Sequence, residues 1–527
     1  MKIPKIPDIP DQERTPSVIQ LLEVTHYQTE LIQNLRDQIA ILKGDKPKPD
    51  IKPSGMENNT NKKKDEKNKN NKRPGSDKRE KTALLKIHKE IIIPAENIPE
   101  GSEFKGYKDF VVQGIIIEPN NILYRMERWR TKDGKYVEGE LPSCVNGHFD
   151  STLKSYILYQ YFQCHVTQPL IFEQLREFDI DISKGQINNI LIENHEDFHI
   201  EKDEILSVGL VISSYINVDD TGARHKGENG VCTHIGNELF AWFESTQSKS
   251  RINFLKLLRA GQTNYCIDQD ALDYMNAQKL PQSQQGLFAD NEQKVFGNED
   301  EWEKHLQRLV ITAKRHKRIA TEGALIGSIL ENGINRELVI MSDDAGQFNV
   351  LLHALCWVHA ERTIHKIIPF TEEQRIALEL MRDKIWKLYA DLNDYKVEPN
   401  IEKSIELKKR FDDIFQENTC FTTLNLALKR LHKNKSELLL VLQRPEIPLH
   451  NNGSESDIRE YVKRRKVSGG TQSAHGRQSR DTFISLKKTC RKLGLSFWEY
   501  INDRVSGLNF IASIPGLMRK KVAAFSI

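Results

Sequence analysis

The spacing of apolar residues changes several times along this 527-residue chain, and each change predicts a different element. Over residues 17–43 the spacing is heptad. Val18, Thr25, Ile32 and Ile39 take the a positions, and Leu21, Gln28, Leu35 and Leu42 the d positions, which is the signature of a coiled coil. A single amphipathic helix docked on the body is the alternative, and self-association is the reading preferred. Residues 44–82 carry almost no apolar side chains and many Lys, Asn and Pro. Such a stretch cannot offset its ordering entropy, so a disordered basic linker is expected. Between 83 and 149, short β-like runs (Ile91–Pro94, Phe110–Ile117, Ile122–Trp129) alternate with turn signals and predict a small β-rich domain.

From 150 to 205 the period becomes helical. Leu170–Phe178 and Ser183–Leu191 are separated by a short polar break, and Ser183 with Gln186 makes a capping box. Helix, break and capped helix have the outline of a helix-turn-helix, which would present Lys184 and Gln186 to DNA, although any helical hairpin shares that outline. Residues 206–370 read as an α/β core. Val208–Asp219 is expected to be a strand, followed by a hairpin through Gly236-Asn237 and a helix over Ser250–Arg259. A polar insertion then fills 262–336, and further strands follow at Leu338–Ser342 and Leu355–His359. Residues 371–445 predict a helical insertion opened by the capping box Thr371/Gln374. Residues 446–505 return to the core, and 506–527 form a C-terminal tail. Three antiparallel strands, a helix, then strands leading into helices is the order of an RNase H-like fold. The fold class expected is therefore multidomain α/β with helical insertions in that core.

Composition narrows the class without deciding it. Hydrophobic residues at 38% and charged residues at 29% suit a soluble protein, and no apolar run approaches the ~20 residues that a membrane span needs. The N-terminal sequence lacks an apolar leader, so a cytoplasmic, nucleoid-associated protein of bacterial type is expected. Seven scattered cysteines with no Cys-x-x-Cys pair exclude a disulfide scaffold and a cysteine-built zinc site. Cys356, His359 and His365 lack a fourth ligand at zinc spacing, and a packed strand with a partner-bonded histidine is expected there instead. The net charge of +3 is small, but the cations cluster.

Three acids stand out chemically. Asp219 and Asp343 close apolar runs, and Glu455 begins a helix. In an RNase H-like sheet the first strand and a later one lie side by side, so the two aspartates would meet. Three carboxylates so placed would hold two Mg²⁺ ions, with Mn²⁺ as a substitute, about a phosphodiester. Each acid also has an ordinary reading, as a turn cap or as helix-dipole chemistry. Downstream, Lys463, Arg464, Arg465, Lys466, Arg477 and Arg480 are interleaved with glycines that allow close backbone approach, a combination suited to phosphate contacts.

With these segments in order, the sequence resembles the insertion-sequence-66 family of DDE transposases. Val218-Asp219-Asp220-Thr221 looks like the family's Ala-Asp-Glu-Thr, and Ser342-Asp343-Asp344-Ala345 like its Thr-Asp-Gly-Tyr. Cys356-Trp-Val-His359-Ala-Glu-Arg362 is similar to its Cys-Trp-x-His-Ala-x-Arg segment, and Leu449-His-Asn451-Asn452-Gly-Ser-Glu455 to its Leu-Asp-Asn-Asn-x-x-Glu. The resemblance implies Asp219, Asp343 and Glu455 as catalytic metal ligands, with Asn451 and Asn452 beside the DNA. It implies double-stranded DNA (element ends and target) as substrate, a homo-oligomer, and accessory transposition proteins. A noncatalytic transposase-derived DNA-binding protein and an RNase H-like nuclease that cuts without joining are the rivals. The chain departs from the family pattern in lacking the cysteine-rich zinc segment, since residues 83–148 hold only Cys144, and in having His450 where the family has aspartate. Asp220 and Asp344 directly follow the proposed ligands. Neighbours on a strand face opposite ways, so only one of each pair can belong to the site.

Overall fold

A computed structural model describes residues 15–42, 86–142, 145 and 147–525. The chain divides into two compact units, one of residues 50–123 with 178–180 and the other of the remainder. In the smaller unit, residues 86–123 form neither strand nor helix, and Phe110, Ile115 and Ile116 are at least 85% exposed. The β-rich domain expected over 83–149 is thereby corrected: an apolar run becomes a strand only where a partner supplies a ladder. In the larger unit just two three-residue strands, Arg128–Arg130 and Tyr136–Glu138, pair within that span. The linker expected over 44–82 and Cys144 lie outside the described residues.

The larger unit is built on a five-stranded mixed sheet, introduced here in chain order with the helices that bear on the site. Helix α1 (Glu196–Ile212) precedes strand β1 (Tyr215–His225), β2 (Glu228–Gly236) and β3 (Ala241–Thr246). Helix α2 (Arg251–Leu258) follows, capped by Ser250. Then come β4 (Val339–Ser342), β5 (Leu352–Leu355) and α3 (Trp357–His365). Helices α4 (Asn452–Ser468) and α5 (Ala474–Leu493) complete the set. The strand order is β3-β2-β1-β4-β5, with β1 to β3 antiparallel and β1, β4 and β5 parallel.

Three expectations change here. Val208–Ile212 ends a helix rather than opening a strand, because Phe198, Ile205, Leu206 and Gly209 are buried at helical spacing. Gly209 has no side chain to collide with Phe240: a Cβ there would sit 2.5 Å from that ring. Strand β1 runs six residues beyond Asp219, which is therefore mid-strand, because Lys226-Gly227 closes a tight hairpin with positive φ at both residues. Cys356–His359 is the start of a helix, with Trp357, Ala360, Glu361 and Ile364 buried on one side of it.

The insertion over 262–336 folds as helices Gln269–Ala277, Gln282–Ala289, Glu299–Arg308 and Lys314–Glu331 with a two-residue ribbon. The second insertion is helical as expected, with Gln374 donating its backbone N–H to the Thr371 hydroxyl at 3.2 Å. Its apolar core, including Leu378, Phe411 and Leu428, is continuous with Met341 of β4 and Trp357. The heptad segment is a helix, Pro16–Leu42, with Leu22 buried and Leu21, Ile32 and Leu35 exposed. Where a tail was expected, Ile514–Phe525 is a helix that buries Ile514 and Met518. No helix among the described residues is long and apolar enough to cross a membrane.

Candidate active site

Parallel pairing of β1 with β4 sets the two aspartates side by side. The register matches Asn217 with Met341, so Asp219 and Asp343 each lie two residues beyond the last pair, on the same face of the pleat. Both are largely covered. Asp219 accepts the backbone N–H of Asp220 at 2.7 Å, and Asp343 accepts that of Ala345 at 3.1 Å. Neither forms an ion pair with any described residue. Burial, then the neighbouring charge of Asp343, pushes the Asp219 carboxyl up to about 8. Burial also raises Asp343, against the Ala345 N–H and the charge of Lys249, which lower it.

The alternates differ in kind. Asp220 faces the other side of β1, where it accepts from Thr233 at 2.6 Å and Gln347 at 3.0 Å and lies 3.8 Å from Lys249. Its carboxylate is thus occupied by the protein itself.

Glu455 sits in the first turn of α4, and two devices hold that turn against the sheet. Asn451, fully buried, donates to the Val218 carbonyl at 2.9 Å and accepts from Asn217 at 2.8 Å. Its backbone N–H reaches the Cys356 sulfur at 3.2 Å, and Trp357 N–H reaches the Leu449 carbonyl at 2.9 Å. The second device is a buried network that sequence reasoning missed. His234 stands opposite Asp219 in the β1–β2 register and bonds Ser454 Oγ at 2.6 Å. Its other ring nitrogen is 3.2 Å from Asp457, which also pairs with Lys488 and Lys492 at 2.9 and 2.7 Å. Burial alone would raise the Asp457 carboxyl, but His234, Lys492 and Lys488 hold it well below the usual range. Burial keeps His234 neutral, so the two lysines balance the charge.

Glu455 itself lies 3.4 Å from His359 and 4.0 Å from Arg362. His359 is drawn down to about 4 by burial and by the charges of Arg362 and Lys366, and is therefore neutral near pH 7. The charge of Glu455 nevertheless acts on both aspartates. Among the described residues no three His, Cys, Asp or Glu side chains close into a ready metal cage. The donor chemistry does suit a hard cation: two adjacent, largely covered carboxylates that enter no ion pair among the described residues, and a third acid nearby.

The basic segment divides. Arg464 is buried with its guanidinium 3.7 Å from the Tyr161 ring centroid, and Arg480 is buried near Tyr461. These two, with Asn451, are corrected from DNA contacts to packing residues, because their polar atoms face protein. Arg465 donates to Thr221 Oγ1 at 3.3 Å and to the Gly222 carbonyl. Lys463, Lys466 and Asn452 are exposed and Arg477 half-buried. Lys184 and Gln186 begin the helix Lys184–Ile192, far along the chain from the carboxylates, with Lys184 exposed and its ammonium 5.1 Å from the Phe172 ring centroid. Arg251, which sequence reasoning also missed, donates to the Gly346 carbonyl at 2.7 Å and to Tyr274 at 3.2 Å, joining the aspartate loop to the first insertion.

A protein from Sinorhizobium fredii (strain NBRC 101917 / NGR234), described as "Uncharacterized protein y4jO", is 43% identical over 313 residues, covering 59% of this chain and 97% of its own length. The family model described as "Transposase IS66 family" matches residues 295–479. The chain belongs to the IS66 transposase family. The stretch that matches the family model contains Asp343, the Cys-Trp helix start, Glu455 and Arg465, whereas Asp219 lies before it.

Proposed function

We propose that this IS66-family chain binds the ends of an insertion sequence and catalyses cleavage and strand transfer of double-stranded DNA, using Asp219, Asp343 and Glu455. The observation that carries the reading is the shared β1–β4 register, which brings Asp219 level with Asp343 while Asn451 and His234 hold the Glu455 helix over the same face. The strand order, three antiparallel strands followed by two parallel ones, supports an RNase H-like core.

In this reading the three carboxylates hold Mg²⁺, or Mn²⁺ in its place, which when bound activates the attacking oxygen and stabilises the leaving one. Water attacks a phosphodiester at the element end, the P–O3′ bond breaks, and a 3′-hydroxyl and a 5′-phosphate result. That hydroxyl then attacks a target phosphodiester, whose own 3′-oxygen leaves, so no covalent protein–DNA intermediate and no ATP are needed. Neutral His359 beside Glu455 orients that carboxylate without neutralising it. Arg465, Lys466, Lys463, Arg477 and Asn452 remain as backbone contacts, and Lys184 and Gln186 as contacts of the helical pair before the core. Self-association through the N-terminal helix and help from accessory proteins belong to the same reading.

Labelled element-end DNA incubated with Mg²⁺ or Mn²⁺ tests it. Joined products from the wild type, lost in Asp343→Asn, support the transposase. Cutting without joining, still lost in Asp343→Asn, indicates a nuclease, and tight binding without chemistry indicates a binding protein.

A further inference from the structure

The hairpin that carries Asp219 ends in a cationic tip, and a later segment is joined to it by a single β-bridge at Thr471. Lys226 N–H donates to the Thr471 carbonyl at 2.8 Å, Thr471 N–H to the Arg224 carbonyl at 2.9 Å, and His225 Nδ1 lies 2.9 Å from Thr471 Oγ1. Glycine makes the approach feasible: a Cβ on Gly470 would stand 2.5 Å from the Arg224 carbonyl oxygen. Helix α4 stops at Gly469, whose φ of 65° turns the chain toward the tip.

The result is a groove lined by Arg224, His225 and Arg477 with Ala223, Gly230 and Tyr461, and Lys226 and Arg465 adjoin it through His225 and Gly222. Arg224 and Lys226 are exposed. Among the described residues Arg224, Lys226, Arg465 and Arg477 enter no ion pair. Glu228, Asn229, Ser245, Thr246, Gln247 and Thr471 also line the groove; Glu228 is the one acid among its lining residues, and its charge reaches His225. Arg477 and Lys226 in turn oppose protonation of His225. Mutually repelling cations held together by backbone pairing, with little acid to balance them, form a site for a polyanion.

We propose that this tip is a cradle for the sugar–phosphate backbone of duplex DNA, gripping it to one side of the scissile phosphate. Two rulers set the distance. Five residues of strand at about 3.3 Å each place Arg224 about 17 Å from Asp219. Ten residues of helix at 1.5 Å place Arg465 about 15 Å from Glu455. At 3.4 Å per base pair, the cradle contacts phosphates about five base pairs from the cut. The contacts carry no base information. This inference rests on the DNA-cleaving reading above.

The test measures binding of full-length protein to duplex element-end DNA across a salt series, for wild type, Arg224→Ala/Lys226→Ala, and the charge-preserving Arg224→Lys. Phosphate-ethylation interference is run on the same DNA. Loss of two phosphate contacts lowers the slope of log K against log salt by about 2, and Arg224→Lys keeps it. Ethylation about five base pairs from the cut interferes with the wild type and not with the double variant. An unchanged slope in a double variant with wild-type melting temperature overturns the cradle while leaving the DNA reading intact. A wild type that binds no duplex DNA overturns both, and Asp343→Asn, which binds but does not cut, marks a failure of chemistry alone.

Discussion

The single carboxyl of Asp219 makes a sharp prediction. Held up to about 8 by burial and by Asp343, it is protonated at pH 7 when no cation is present. If Asp219 is a ligand of the proposed divalent cation, the cation must displace that proton, and Mg²⁺ affinity should strengthen as pH rises from 6 to 8. Calorimetric titration at pH 7 in two buffers of different ionisation enthalpy should show about one proton released per Asp219, and none in Asp219→Asn. Equal release from both proteins would remove Asp219 from the site. Asp457 behaves oppositely. Its depressed carboxyl contributes stability that is present above its unfolded value, near 3.8, and is lost as pH falls below that. Asp457→Asn leaves buried Lys488 and half-buried Lys492 without their anion and should cost about 3–5 kcal/mol at pH 7 in chemical denaturation, with the deficit shrinking in acid. Asp343 and Glu455 were legible in the sequence because one follows a strand and the other begins a helix, and Asp219 because it closes an apolar run, although its strand continues to His225. Asp457 was not: its partners come from β2 and α5, and no local pattern pairs a helix aspartate with a strand histidine 223 positions away in the chain.

Elements explain where periodicity succeeded and where it misled. The β2–β3 hairpin, the capped helices and the two insertions follow from local pattern alone. Val208–Ile212 is equally apolar as strand or helix end, and only packing of Gly209 on Phe240 separates the two. The runs at 91–94 and 110–117 have strand composition without a strand partner. Edge strand β3 shows a device invisible to pattern. Its alternate N–H groups, at Ser245, Phe243 and Ala241, donate to Asp481, Ser485 and Thr489 of α5 at 2.8, 2.9 and 3.1 Å. Ser485→Ala would strand the buried Phe243 N–H and should cost about 1–3 kcal/mol, read as a shift in denaturation midpoint without a change in slope. A neutral outcome would mean that water replaces the hydroxyl.

Across the whole molecule, the first insertion is tied to the loop that follows Asp343 through Arg251, which touches Tyr274 of the insertion and Gly346 of that loop. Arg251→Met should lower the cleavage rate on the order of tenfold or more while leaving DNA affinity unchanged. Parallel loss of affinity would show that the insertion acts in binding instead. Covering of both sheet margins is a property of the assembly too: α5 lies along β3, and the second insertion reaches β5 through Glu437 and His353. The α5 cover has a built-in limit. Four helical residues advance about 6.0 Å and two strand residues about 6.7 Å, so the two scales slip by about 0.7 Å at every rung, like the graduations of a vernier. The three bonds lengthen in that order, from 2.8 to 3.1 Å. The slip limits how long a margin a helix can guard by this means, and β3 is six residues long. Lengthening β3 by one repeat would leave an unguarded amide at the rim, open to a strand from another molecule.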